Sequence, residues 1–216
     1  MIKATLGTDL DAHVDRFFPF LTRVRIHPNW FSLAGLAVSL GGAALFAQGS
    51  FRWGAVVTAL GGFFDLTDGV VARHQGRTST FGAFLDSTLD RVVDMALLFA
   101  IAMYFQGAGE PAWAWLAGFA LVCTVVVSYA KARAESVLPG FRGGWFERAE
   151  RLVVIMVGAV VGLLKPALVV VAAGSAITAG QRIALAWRGM EALDARAASG
   201  SPREPEDRDG GGQDAG

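Results

Sequence analysis

Six apolar runs separated by short polar connections dominate this chain, and most reach the roughly 20 residues that a helix needs to cross about 30 Å of hydrocarbon. They cover residues 29–48, 53–72, 82–105, 112–132, 152–164 and 166–187, the fifth being short, with a start as early as Phe146 left open. An open sheet leaves backbone groups unsatisfied in lipid, so all six are expected to be helices. Composition agrees: 216 residues that are 53% hydrophobic and 18% charged, with 27 glycines, do not resemble a water-soluble domain of that size. The fold class expected is therefore an all-α integral membrane protein with six transmembrane helices. Residues 1–195 form its membrane domain, and residues 196–216, polar and glycine-rich, form a disordered tail.

Residues 1–25 lack the apolar core of a cleavable signal sequence and read instead as a juxtamembrane amphipathic helix, with Phe17, Phe18, Phe20 and Leu21 on its apolar side. Basic residues alternate along the chain. Lys3, Arg16, Arg23 and Arg25 precede the first run, and only Arg52 follows it. Arg73 and Arg77 occupy the second connection, and none lies between Gln106 and Trp113. Lys131, Arg133, Arg142, Arg148 and Arg151 cluster around the fourth connection, while Lys165 stands alone before the last run. The positive-inside rule then places both termini on the cytoplasmic side of a multi-pass protein of the plasma membrane. The formal net charge of zero conceals this asymmetry and offers nothing to a nucleic-acid partner. Cys123 is the one cysteine, which excludes a disulfide within the chain. Trp113, Trp115 and Trp187 read as anchors at the membrane interface, and His27 and His74 as interfacial residues at helix ends.

Chemistry concentrates between Phe64 and Asp94, where Asp65, Asp68, Asp86 and Asp90 interrupt otherwise apolar sequence. A carboxylate at membrane depth costs a few kcal/mol, so four of them require a specific reason. Asp65 and Asp68 are three apart and Asp86 and Asp90 four apart, so each pair shares a helical face, and a short connection turns the two helices back on each other. Converging carboxylates repel and take up protons unless one or two divalent cations hold them ionised; oxygen ligands favour Mg²⁺ or Mn²⁺. Gly69 and Gly82 allow a bulky ligand close to the backbone, and Arg73 is placed to pair a phosphate. Asp94, a turn further on, reads as a helix-to-helix contact with an arginine.

The run Asp65-x2-Asp68-Gly69-x2-Ala72-Arg73-x8-Gly82-x3-Asp86-x3-Asp90 resembles, at every fixed position, the signature of the CDP-alcohol phosphatidyltransferase family. That resemblance implies a six-helix membrane enzyme, usually a homodimer, with two metal ions on Asp65, Asp68, Asp86 and Asp90, and with Asp90 also serving as the base that deprotonates the acceptor hydroxyl. It implies CDP lying against Gly69, Arg73 and Gly82, with Ser79 a further contact, and CDP-diacylglycerol meeting Asn29, Trp30, Phe31 and Ser32.

The stretch from Ser128 to Glu135, the run Gly143-Gly144-Trp145-Phe146-Glu147-Arg148-Ala149-Glu150-Arg151, and Ser175 to Arg182 resemble the phosphatidylinositol-phosphate synthase branch of that family. Its implication is that Lys131, Arg133, Arg151 and Arg182 grip the phosphate of inositol 1-phosphate. Glycerol 3-phosphate is the alternative acceptor, and topology alone is the alternative explanation of the basic cluster. Membrane prenyltransferases also set aspartates and magnesium on a diphosphate, but their acids form two motifs on well separated helices. A cation path would need ionisable groups deep in several spans.

Overall fold

A computed structural model of the chain describes residues 28–74 and 79–199, apart from the side chains of residues 28–29 and 65–74. The amphipathic helix expected before the first run, His27, the connection at residues 75–78 and the tail from residue 200 onward lie outside the described residues, as does the His74 side chain.

Six helices make up the described chain: α1 Pro28–Ala47, α2 Phe51–His74, α3 Thr80–Gly107, α4 Pro111–Glu135, α5 Arg148–Val160 and α6 Leu164–Ala198. No strand occurs among the described residues. Local chemistry sets several boundaries. Pro28 and Pro111 occupy first turns, where a missing N–H costs nothing. Ser79 caps α3, its Oγ accepting from the Gly82 N–H at 2.9 Å. Between α5 and α6, Gly162 takes a left-handed conformation (φ 79°) that a side chain disfavours.

Residues 30–47 of α1, α4 and α6 are long and apolar enough to cross a membrane. Helices α2 and α3, at 24 and 28 residues, also have the length, but α2 offers only Phe51–Phe64 as a clean apolar stretch, and α3 carries its acids in its first half. Helix α5 is short, as expected; it begins at Arg148, between the Phe146 and Leu152 starts left open by the sequence, and its 13 residues span about 20 Å, less than the hydrocarbon core. One expectation needs adjustment: helix α6 does not stop near Trp187 but continues to Ala198. Its last turns mix alanines, Met190 and Leu193 with Arg188, Glu191, Asp194 and Arg196; alanine, arginine and glutamate favour helix, but the charges break the apolar run, so hydropathy undercounts the helix.

The helices pack as a closed ring of neighbours: α2 on α1, α1 on α3, α3 on α4, α4 on α6, α6 on α5, and α5 back on α2. Inside lie Phe46, Leu97, Ile101, Phe105, Ile155, Leu168 and Val171, all buried, while Trp53, Phe99, Trp115, Phe119 and Trp187 face outward. Large apolar side chains on the outer surface are what lipid, rather than water, demands. Helices α1 and α2 approach closely because a Cβ on Gly61 would overlap the Ser39 hydroxyl and one on Gly42 the Thr58 side chain. Such small-residue contacts stand in for a hydrophobic driving force inside a bilayer.

At the end of the bundle remote from the acids, Lys165 forms an ion pair with Glu110 and lies 5.4 Å from the Trp113 ring centre and 5.8 Å from that of Phe105. Trp113 is thus a packing partner beneath Lys165, whereas Trp115 and Trp187 are exposed as interface anchors should be. This clasp ties α3, α4 and α6 together. A Lys165→Met variant is expected to lose about 1 kcal/mol, lowering Tm by about 2–4 °C with turnover unchanged. Thermal unfolding in detergent alongside a turnover assay checks it; lost turnover at an unchanged Tm would contradict the assignment.

Candidate active site

The site is built at the end of the bundle where α2 finishes, α3 begins, α4 finishes and α5 begins. Asp86 and Asp90 lie four apart on α3, one turn above each other. Asp90 lines a cleft together with Ser32, Gly35 and Ser39 of α1, Gly61 and Gly62 of α2, and Arg148 of α5. Gly61, Asp65 and Asp68 follow one another at helical positions i, i+4 and i+7, and α2 remains helical throughout. The α2 acids therefore occupy the register of the face that lines the cleft. The side chains of Asp65, Asp68, Gly69 and Arg73, and that of Asn29, lie outside the described residues.

This arrangement fits a divalent metal. Asp90 lines the cleft beside Gly61 and Gly62 of α2, Asp86 lies one turn before it on α3, and carboxylate oxygens are the donors that a hard divalent cation prefers. Among the side chains that are described, no cluster of three or more metal-ligating residues occurs.

The structure distributes the other expected site residues unevenly. Ser32 is buried in the cleft wall, while Trp30 is largely exposed and Phe31 partly so. Ser79 and Gly82 meet each other in the helix cap. Lys131 is exposed and 3.9 Å from Glu135, one turn on. Arg133 donates to Ser136 Oγ at 3.3 Å. Arg151 and Arg182 differ, being 4% and 3% exposed respectively, with internal partners. Arg151 Nη2 donates to Asp94 Oδ2 at 3.0 Å. Arg182 donates through Nε to the Gly143 carbonyl and through Nη1 to the Val127 carbonyl, each at 2.8 Å, and its Nη2 lies 3.6 Å from Glu147. These contacts hold the connection between α4 and α5 against α6. Gly144 permits this approach, since its φ is 85° and a Cβ there would meet Thr178 at 2.5 Å and Arg182 Nε at 3.0 Å.

Asp94 pairs with arginine, as its spacing suggested, but with two of them: Arg148 Nε lies 3.4 Å from its Oδ1. Arg148 also reaches Asp90 Oδ1 through Nη1 at 2.8 Å. This contact of Arg148 with the fourth acid, and the pairing of Glu147 with Arg182, escaped the sequence reading. A signal was present: Arg148 and Arg151 repeat at three residues on α5 while Asp90 and Asp94 repeat at four on α3, matching opposite charges on two helical faces.

Comparison with known proteins supplies the family. The CDP-alcohol phosphatidyltransferase family profile matches residues 25–186. A phosphatidylinositol phosphate synthase of Streptomyces avermitilis is 41% identical over 198 residues, covering 85% of this chain and 81% of the relative. The archaetidylinositol phosphate synthase of Methanothermobacter thermautotrophicus is 37% identical over 181 residues, covering 80% and 89%. Among solved structures, the crystal structure of the Mycobacterium tuberculosis phosphatidylinositol phosphate synthase with CDP-DAG bound superposes with a TM-score of 0.75 at 33% identity, covering 82% of this chain and 94% of that one. A second structure of that enzyme, in complex with manganese and citrate, gives a TM-score of 0.74 at 34% identity, with coverage of 82% and 90%. Both the extent of the family match and the identity to relatives over most of the chain lead to one conclusion: this chain belongs to the CDP-alcohol phosphatidyltransferase family, a class of metal-dependent transferases embedded in the membrane.

Proposed function

We propose that this chain transfers the phosphatidyl group of CDP-diacylglycerol to inositol 1-phosphate, releasing CMP and forming phosphatidylinositol phosphate. The observation that carries the reading is the pairing of Asp90 with Arg148 in the cleft, at an end of the bundle where further cations gather. Asp90 lies 2.8 Å from Arg148 at the end of the bundle where Lys131, Arg133 and Arg151 also lie. A neutral alcohol needs no such collection of cations, whereas a phosphorylated one does. Relatives that are themselves phosphatidylinositol phosphate synthases, one of them solved with CDP-DAG bound, support the same pair of substrates.

In this reading the two acid-bearing helix faces hold one or, more consistently with four carboxylates, two ions, Mg²⁺ or Mn²⁺, on Asp65, Asp68, Asp86 and Asp90. Bound there, the metal neutralises the diphosphate and the departing CMP. Gly69, Arg73, Ser79 and Gly82 border the CDP moiety, and Asn29, Trp30, Phe31 and Ser32 the lipid side of the same substrate. Asp90 takes the proton from the acceptor hydroxyl as its oxygen attacks the lipid-bearing phosphorus, and the bond from that phosphorus to the CMP oxygen breaks. Lys131 and Arg133, exposed at the mouth, receive the acceptor phosphate, with Arg151 and Arg182 behind them. Residues 1–195 act as one catalytic membrane domain, working as a homodimer in the plasma membrane with the active site and both termini on the cytoplasmic side.

Initial rates of CMP release from CDP-diacylglycerol with inositol 1-phosphate, free inositol or glycerol 3-phosphate test the acceptor. Inositol 1-phosphate is expected to exceed free inositol in kcat/KM by about tenfold or more, the equivalent of one charge-assisted contact. Arg133→Ala is expected to raise the KM for the acceptor by a similar factor while leaving the KM for CDP-diacylglycerol unchanged. A preference for free inositol would refute the phosphate site, and a preference for glycerol 3-phosphate would reassign the acceptor.

A further inference from the structure

One carboxylate outside the acid signature is buried in the bundle and serves two cations at once. Asp94 is 6% exposed, and its oxygens are divided, Oδ1 lying 3.4 Å from Arg148 Nε and Oδ2 3.0 Å from Arg151 Nη2. Arg148 continues the series by placing Nη1 at 2.8 Å from Asp90 Oδ1. The result is a line of alternating charge, Arg151, Asp94, Arg148, Asp90, running from the interior to the cleft. Only its last two members line the cleft; Asp94 and Arg151 line a separate small cavity behind it with Leu97 and Thr124.

A guanidinium is a rigid planar fork, so fixing one of its nitrogens fixes the direction of the others. With Nε held by Asp94, the Arg148 plane can turn little, and its Nη1 stays in ion-pair contact with Asp90 Oδ1. Stability gives no sufficient reason for this group, because a buried ion pair is commonly no better than apolar residues of the same volume. The geometry assigns Asp94 as a positioning residue for the transfer reaction: it holds Arg148, with Arg151 as its anchor, so that Arg148 orients the Asp90 carboxylate toward the acceptor hydroxyl. This assignment rests on Asp90 being the base in the reaction proposed above.

The test is a double-mutant cycle on purified protein, using Asp94→Asn, Arg148→Gln and the pair, assayed with whichever alcohol the parent uses. Asp94→Asn is expected to lower kcat by about tenfold or more with the KM for CDP-diacylglycerol unchanged, yet to change kcat by less than about twofold when Arg148 is already glutamine. Melting temperatures of the same four proteins in chelator give a readout independent of turnover, and the two single losses should exceed the loss in the pair when each is counted from the parent. Should Asp94→Asn not be recoverable from membranes, Arg148→Lys serves instead. It keeps the charge without the fork, and a similar fall in kcat at parental Tm is expected. Parental kcat in Asp94→Asn or in Arg148→Lys, or the same loss from Asp94→Asn in both backgrounds, would overturn the assignment. A parent that uses another alcohol refutes the acceptor reading alone, because the cycle is then run with that alcohol.

Discussion

The Asp90→Asn enzyme is expected to turn over about 10²- to 10⁴-fold more slowly than the parent, the range that a general base contributes, while its affinity for CDP-diacylglycerol stays nearly unchanged. The asymmetry follows from role. A base acts only as the proton moves in the transition state, whereas the proposal assigns the nucleotide and lipid of the donor to residues on α1, α2 and the start of α3. Asparagine keeps the shape of Asp90 and leaves an oxygen for Arg148 Nη1, 2.8 Å away, so loss of basicity is separated from collapse of the arginine chain. Single-turnover rates together with equilibrium binding of the donor check this. Equal losses in rate and binding would show that Asp90 works as a ligand or a structural residue and not as the base.

Comparable losses are expected from Asp65→Asn, Asp68→Asn and Asp86→Asn, but here metal affinity and activity should fall together, each by about 10²-fold or more. If the four carboxylates and the diphosphate meet as proposed, their negative charge exceeds what Arg73 and Arg148 can balance, so each acid replaced by an amide removes both a donor atom and charge that retains the cation. Titration of Mn²⁺ into each purified variant, followed by CMP release at saturating metal, measures the two quantities on one sample. A variant that binds Mn²⁺ as the parent does yet is inactive would remove that residue from the metal site. Full CMP release in excess chelator would remove the metal from the account.

Much of this molecule is visible in the order of its residues because lipid leaves little freedom. A run of apolar residues about 20 long has one outcome in a bilayer, and the starts and ends of α1 to α4 fall within a few residues of those inferred from hydropathy. That inference weakens where the chain leaves hydrocarbon. The charged extension of α6 from Arg188 to Ala198 offers no apolar run for hydropathy to detect, and α5 begins on a charged turn at Arg148, ahead of its apolar residues. The acids were legible for a related reason: a carboxylate in an apolar run carries a cost that only function explains, and the spacing from Asp65 to Asp90 reduced the choices to one family.

The arginines were harder to read. The cations around the fourth connection, and Arg182 in the last helix, can serve topology or a ligand, and the sequence does not say which of them turn inward. The structure separates them by environment. Lys131 and Arg133 are exposed, while Arg151 and Arg182 are buried and engaged with Asp94, Glu147 and the carbonyls of Val127 and Gly143. Those partners come from helices and connections distant in sequence, which no local pattern specifies. Removing Arg151 would therefore disturb Asp94 as well as any ligand, which makes Arg133 the cleaner test of acceptor binding.

The central claim, that this chain joins the phosphatidyl group of a CDP-activated lipid to a phosphorylated inositol at its aspartate cleft, is tested most directly by identifying the lipid product. Purified protein supplied with CDP-diacylglycerol, inositol 1-phosphate and Mg²⁺ would be extracted and the lipids resolved by mass spectrometry, beside the Asp90→Asn variant and a sample in chelator. The account predicts phosphatidylinositol phosphate and an equimolar amount of CMP from the parent, neither in chelator, and both at a rate about 10²-fold or more lower from the Asp90→Asn variant. CMP without the new lipid, or the same lipid from the Asp90→Asn variant at the parental rate, would contradict it.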